Sequence, residues 1–229
     1  FTSLRGAIAY TALTQDWVKV YIVGLQRIQH PKNIEVRRLN ALTRKLRSEP
    51  KKLVYPAMTC QRSIDIHTDA GYRRTTGEDD ETKGYGLRGA NIIRRGKTKD
   101  GKSAVHLLDS VCKSHRLKIR SSYSPELLSS AHCYEDAYPT IITLHELDQG
   151  VFTTEKLKEI REQGGLKIEV TLTIDAESVY KSLTSKDIKV PTEKTLIGKI
   201  AWLREMIDLG LIHNILWCDT RDMTADGHT

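Results

Sequence analysis

At 229 residues with 39% hydrophobic side chains, the chain holds enough apolar material for one domain plus an appendage, or for two small domains. Lysine and arginine outnumber aspartate and glutamate by 36 to 29, a net charge of +7 that suits a polyanionic partner without requiring one. No run of about 18 apolar residues is present to span a membrane. The cysteines at 60, 112, 133 and 218 lack the close spacing of zinc knuckles or redox pairs, which predicts free thiols in a reducing compartment.

Residues 1–50 read as helical. Leu4, Ile8, Leu13, Val20 and Val23 are apolar among small residues, and His30-Pro31 closes that stretch. Val36, Leu39, Leu42 and Leu46 then recur at spacings of three and four, the period of one buried helical stripe. Arg37, Arg38, Arg44 and Lys45 fall on another face, which is either solvated or in contact with phosphates. The stretch 48–52, with Pro50, reads as a hinge.

From about residue 57 the period changes to two. Ile64 and Ile66 alternate with Asp65, His67 and Asp69 over 63–70. The Gly-, Thr- and acid-rich stretch 75–86 predicts a mobile hairpin loop. Strands follow near 90–95 and 103–112 around the turn Lys99-Asp100-Gly101, a meander that favours antiparallel pairing. Ser124-Pro125-Glu126 reads as a helix start, with serine as cap, proline in the first turn and glutamate against the dipole. That helix runs through Leu128, Ala131 and Tyr134, with a kink or break expected at Pro139. A charged helix over 155–163 ends at Gly164-Gly165, and residues 166–175 alternate as the cleanest strand in the chain. Leu196, Ile200, Leu203 and Ile207 predict a last helix with Gly210 as its cap. Residues 212–218 read as an apolar central strand, with Trp202 and Trp217 in the core and His67, His106, His132 and His213 structural. The sum is a mixed α/β sheet with helices packed on it.

Acids recur at the boundaries of these elements: Asp69, Glu126, Asp175 and Asp226. Convergence of such acids at one sheet edge would serve phosphodiester hydrolysis, in which two magnesium ions about 4 Å apart activate water and neutralise the leaving oxygen. Asp65 shares the pleat direction of Asp69 and competes with it, as Asp222 competes with Asp226; Glu177 fits an exposed first helical turn. Arg73, Arg74, Arg116, Lys118 and Arg120 are candidate phosphate contacts or solvated residues, with Ser121 and Ser122 as candidate donors.

Local sequence sharpens this. Thr68-Asp69-Ala70 before a glycine-bearing hairpin resembles the first-strand motif of ribonuclease H domains, in particular those of copia-type retrotransposon reverse transcriptases. Lys113-Ser114-His115-Arg116, Arg120-Ser121-Ser122 and Ser124-Pro125-Glu126-Leu127 resemble that group's serine-rich run ending in a catalytic glutamate. Ile174-Asp175-Ala176-Glu177-Ser178 is similar to its third acid, with Asp-Ala in place of Asp-Asn or Asp-Ser. The ending from Asp219 to Thr229 resembles the closing segment, in which Ala-Asp precedes Thr-Lys. Leu4-Arg5-Gly6-Ala7-Ile8-Ala9-Tyr10, with Thr14, Asp16 and Pro31, is similar to the stretch between polymerase thumb and ribonuclease H domain.

The resemblance spans nearly the whole chain. It implies a helical connection over 1–56 and a ribonuclease H-like mixed sheet with flanking helices over 57–229. It also implies cleavage of the RNA strand of RNA–DNA hybrids by two Mg2+ or Mn2+ ions on Asp69, Glu126, Asp175 and Asp226. Expected partners are the hybrid and an upstream polymerase domain of the same polyprotein, in an intracellular setting. Thr192-Glu193-Lys194-Thr195 departs from the Thr-Lys-His run of many relatives. Two other readings stand beside this one: a catalytically dead relative that only binds or supports, and a transposase- or integrase-like DNA nuclease. Starting at Phe1 and stopping at Thr229 inside a motif, the chain reads as a piece of something longer, with no targeting signal to infer.

Overall fold

The structure, a computed structural model, describes residues 1–26, 28–49, 53–71, 86–115, 121–187, 191 and 193–229, with the side chains of Cys60 and Gln61 excepted. Most of the expected hairpin loop at 75–86 therefore lies outside the described residues.

The amino-terminal stretch folds as three helices: α1 (Thr2–Thr11), α2 (Val18–Gln26) and α3 (Asn33–Ser48). Ile8, Ala12, Val18, Ile22, Leu25, Leu39 and Leu42 bury one another in a cluster of their own. Arg5 closes the end of α2 by donating to the carbonyls of Leu25 at 3.0 Å and Ile28 at 3.1 Å. The stripe on α3 is narrower than its spacing predicts. Val36 is exposed, because only two short helices cover α3. Lys19 fastens α2 to the sheet through Asp109 and the Ser110 carbonyl. Tyr55 donates to the Leu107 carbonyl at 2.9 Å, and His106 bonds the Pro56 carbonyl, so the connecting segment runs beside the same strand.

Among the described residues one five-stranded sheet forms, in the order β3-β2-β1-β4-β5. The strands are β1 (Cys60–Gly71), β2 (Leu87–Lys97), β3 (Ser103–Ser114), β4 (Glu169–Ile174) and β5 (Asn214–Trp217). The first three form the expected antiparallel meander, whereas β4 and β5 run parallel to β1. This is the mixed sheet with flanking helices that the resemblance implies.

Alternation assigns the two faces. Ile64, Ile66, Ile92, Val170, Leu172 and Ile174 point into one core, where each fully buried side chain contributes about 1.5–3 kcal/mol. Over them lie α4 (Tyr123–Gln149), α5 (Thr154–Gln163), α6 (Glu177–Thr184) and α7 (Ile197–Asp208), which insert Leu127, Ala131, Tyr134, Ile160, Val179, Ile200 and Leu203. The other face is polar yet buried: Asp65, His67, Asn91, Ser110, Thr171 and Thr173. Part of it is covered by the turns over 223–229. There the Asn91 amide donates to the Thr224 carbonyl at 2.8 Å and its carbonyl oxygen meets His228 Nε2 at 2.9 Å. Burial drives the His67 imidazole down to about 4, and neither ring nitrogen has a partner among the described residues.

Several expectations are corrected. α4 begins at Tyr123 with Ser122 in the cap position, so Ser124 is not the cap; its hydroxyl donates to Glu193 at 2.7 Å instead. The same helix continues through Pro139, its packed face outweighing one lost backbone bond. β4 starts at Glu169 rather than 166, because β1 offers ladder partners only from Ser63 onward. β5 is an edge strand, not a central one. Trp217 is 51% exposed in consequence, while Trp202 packs against Tyr134 in the core as expected. Cys133 and Cys218 are free thiols, the buried Cys112 thiol donates to the His228 carbonyl at 3.0 Å, and the side chain of Cys60 lies outside the described set.

Candidate metal centre

The parallel ladder between β1 and β4 ends at the pair Thr68–Ile174. The next residue of each strand is an acid, so Asp69 and Asp175 leave neighbouring strands side by side at the carboxyl end of the sheet. The third acid comes from α4. Ser129 donates to the Asp69 carbonyl at 2.7 Å, and Ser130 meets the Thr68 hydroxyl at 3.2 Å, which sets the helix against β1. One turn earlier stands Glu126, whose carbonyl accepts from Ser130 at 2.9 Å. One carboxylate oxygen from each of Asp69, Glu126 and Asp175 lies within 4.8 Å of the other two.

Three acids at such range repel one another. Burial, followed by the charges of Asp69 and Asp175, pushes the Glu126 carboxyl up to about 9 against the pull of the Ala70 amide. Burial also raises Asp69. Thr229 and the Ala70 amide oppose that rise, while Asp175 and Asp226 add to it. Among the described residues, none of the three acids is in a salt bridge, and Glu126 Oε2 is buried without any partner. An orphaned carboxylate oxygen is costly. Oxygen donors of this charge are the set that hard divalent cations take, so the residues fit such an ion.

The segment after β5 supports two of the acids. The Cys218 amide donates to the Ile174 carbonyl at 3.0 Å, extending the ladder, and the Trp217 indole donates to the Asp175 carbonyl at 2.8 Å. The Thr220 hydroxyl donates to Asp175 Oδ2 at 2.9 Å, and the Thr229 hydroxyl donates to Asp69 Oδ2. Residue-type patterns carry no mark of Ser129, Trp217 or Thr220, since each reaches the acids only through the packing of β5 and α4.

The remaining candidates fall elsewhere. Asp226 is exposed in a single 3₁₀ turn, Asp226–His228, outside the group of three but near enough to raise Asp69. Asp222 is exposed and does not figure among the charges acting on Asp69. Asp65 pairs with Arg95, four residues and about 13 Å along the strand from Asp69. Glu177 stands exposed in the first turn of α6 and pairs with Lys181 at 2.7 Å. Ser121 and Ser122 are exposed before α4, and the Ser121 and Ser124 hydroxyls meet at 2.9 Å. Arg73, Arg74, Arg116, Lys118 and Arg120 lie outside the described residues, as does Thr192. Among the described residues no helix is long and apolar enough to cross a membrane.

No protein-family model matches the chain, and no curated protein matches it in sequence. Solved structures do. Ribonuclease H1 of the halophilic archaeon Halobacterium salinarum is 14% identical with a TM-score of 0.41, covering 72% of this chain and 92% of that one. LC11 ribonuclease H1, solved with an RNA/DNA hybrid, is 15% identical with a TM-score of 0.39 over 72% and 91%. The PFV ribonuclease H domain is 15% identical with a TM-score of 0.36 over 72% and 82%. At these values the likeness carries no weight for the chemistry, which has to come from this chain's own residues.

Proposed function

We propose that the chain is a metal-dependent endonuclease of the ribonuclease H type, which hydrolyses the RNA strand of RNA–DNA hybrids. The observation that carries this reading is the close set of Asp69, Glu126 and Asp175 at the sheet end, with one Glu126 oxygen buried and unpartnered. Asp69 and Asp175 are the central ligands, Glu126 completes one position from the helix start, and Asp226 is the peripheral ligand on its turn. Bound Mg2+ or Mn2+, two ions in this reading, supplies a water of lowered pKa and neutralises charge at the leaving oxygen. No side-chain nucleophile is needed.

The chain's own work is to hold Asp69, Glu126 and Asp175 together where water alone would scatter them. The Thr220 hydroxyl fixes one oxygen of Asp175, and Ser129 ties α4 to the end of β1. Hybrids are distinguished largely through groove shape, phosphates and 2′-hydroxyls, the task assigned here to Ser121, Ser122 and the arginines and lysine at 73, 74, 116, 118 and 120. In the fuller form of the proposal, residues 1–56 are the connection segment and 57–229 the nuclease domain of a copia-type reverse transcriptase. The partner is then its polymerase domain and the setting intracellular.

The test is cleavage of an end-labelled RNA–DNA hybrid with Mg2+, Mn2+ or EDTA, beside single-stranded RNA and duplex DNA. Metal-dependent loss of the RNA strand alone is expected, and Asp69→Asn must remove it. Binding without cleavage would return the chain to a non-catalytic role, and cutting of duplex DNA would make it a DNA nuclease.

A further inference from the structure

Helix α3 carries Arg37, Arg38, Arg44, Lys45 and Arg47 against a single acid, Glu35, a surplus of four charges out of the chain's +7. Glu35 is already engaged, accepting from the Lys32 amide at 2.8 Å to cap the helix. All five cations are exposed, and among the described residues none pairs with an acid; Lys45 instead lies over the Trp17 ring at 5.1 Å. An ordinary solvated helix looks different. On α5 three acids alternate with three bases, and Lys156 meets Glu159 at 3.0 Å. Arg44 and Arg47 repel one another at i, i+3 spacing, and an anionic occupant would relieve the crowding of like charge.

The helical period aligns the charges. Arg37 and Arg44, seven residues apart, nearly superimpose on the side away from Leu39 and Leu42, with Arg47 close by. Asn33, Asn40 and Ser48 stand along that line, with the exposed Ile34 and Val36 to either side of it. A protein interface would need an apolar centre that this face lacks, whereas arginine with short amide and hydroxyl donors is what phosphate oxygens select. The five cations span about 15 Å of helix. The helix packs on α2, which in turn touches both β3 and the turn Asp226–His228.

We infer that the outer face of α3 is a second nucleic-acid contact, tracking the backbone phosphates of the duplex whose RNA strand the acids cut. The inference rests on the proposed function only for the identity of that duplex. Binding of a fluorescent 24-base-pair RNA–DNA hybrid, and of duplex DNA of the same length, is measured in EDTA across a salt series. The proteins compared are the full chain, its Arg37→Gln/Arg44→Gln variant and a Lys156→Gln/Lys158→Gln control on α5. At about 0.9 in log–log slope per phosphate contact, the α3 variant is expected to lose about two from the salt slope and roughly tenfold in affinity on both duplexes. The α5 control should match the unaltered protein. Equal slopes and affinities in the α3 variant would overturn the inference, as would the absence of duplex binding by the unaltered chain. Preference for an acidic peptide over either duplex would overturn it too. Cleavage in Mg2+ separates the two proposals. Dependence of binding on α3 without any cleavage removes the nuclease reading alone, and normal cleavage with binding indifferent to α3 removes this one alone.

Discussion

Replacing Glu126 by glutamine makes a prediction that runs against the usual expectation for a buried acid. In the metal-free protein the Glu126 carboxyl titrates at about 9, raised by burial and by Asp69 and Asp175, against an ordinary value of 4.5. A group whose folded value is raised contributes stability that is fully present below its unfolded value and is lost as pH rises through the folded one. Stability linked to Glu126 therefore declines from about pH 4.5 to about pH 9. At pH 7 some 2.5 pH units of that window have been crossed, which at 1.36 kcal/mol each is about 3 kcal/mol. Glu126 is not sealed from solvent, and screening brings this to about 1–2 kcal/mol. Glu126→Gln removes the titration. In EDTA at pH 7 the variant should melt about 3–6 °C above the unaltered protein, and the advantage should vanish near pH 4.5. Magnesium should reverse the order, raising the melting temperature of the unaltered protein and not that of the variant. A variant that melts at or below the unaltered protein in EDTA at pH 7, with the same pH dependence, would refute the placement of Glu126 among unrelieved charges.

Asp69→Asn and Asp175→Asn should each abolish hybrid cleavage while keeping the far-ultraviolet spectrum and cooperative melting, and activity surviving in either would end the ligand assignment. Thr220→Val removes the donor to Asp175 Oδ2 and should weaken magnesium dependence roughly 10–100-fold in a metal titration of cleavage, with Thr220→Ser close to the unaltered protein. Asp148, at the end of α4, accepts from both Arg62 of β1 and Arg94 of β2, so Asp148→Asn strands two partly buried guanidinium groups. Urea denaturation should record a loss of about 2–3 kcal/mol.

Much of the architecture could be read from alternation, since Ile64, Ile66, Val170, Leu172 and Ile174 reveal both strand identity and the buried face. Strand position in the sheet could not. The apolar run at 212–218 looks central, yet among the described residues β5 pairs only with β4, and its exposed Leu216 and Trp217 follow from being last in the order. The same gap hides the site. That Asp69 and Asp175 are neighbours depends on a parallel register between strands about a hundred residues apart, and no local pattern encodes that register. Helix boundaries failed for a smaller reason. Ser122 and Ser124 are chemically equivalent as caps, and the bond from Ser124 to Glu193 that separates them is tertiary. Asp226 was legible as an acid in a familiar ending, but its exposure on a turn outside the group of three was not.

The pairing of β1 with β4 also sets when the site can exist. β1, β2, β3 and α4 are consecutive and can assemble from local hairpins, but β4 must close a long loop before it lies beside β1. Until it does, Asp69 and Glu126 stand as a pair with neither Asp175 nor the segment that carries Thr220 and Asp226. A chain caught partway through folding, or emerging from the ribosome, therefore holds an incomplete set of ligands. The three acids come together late, with the finished sheet.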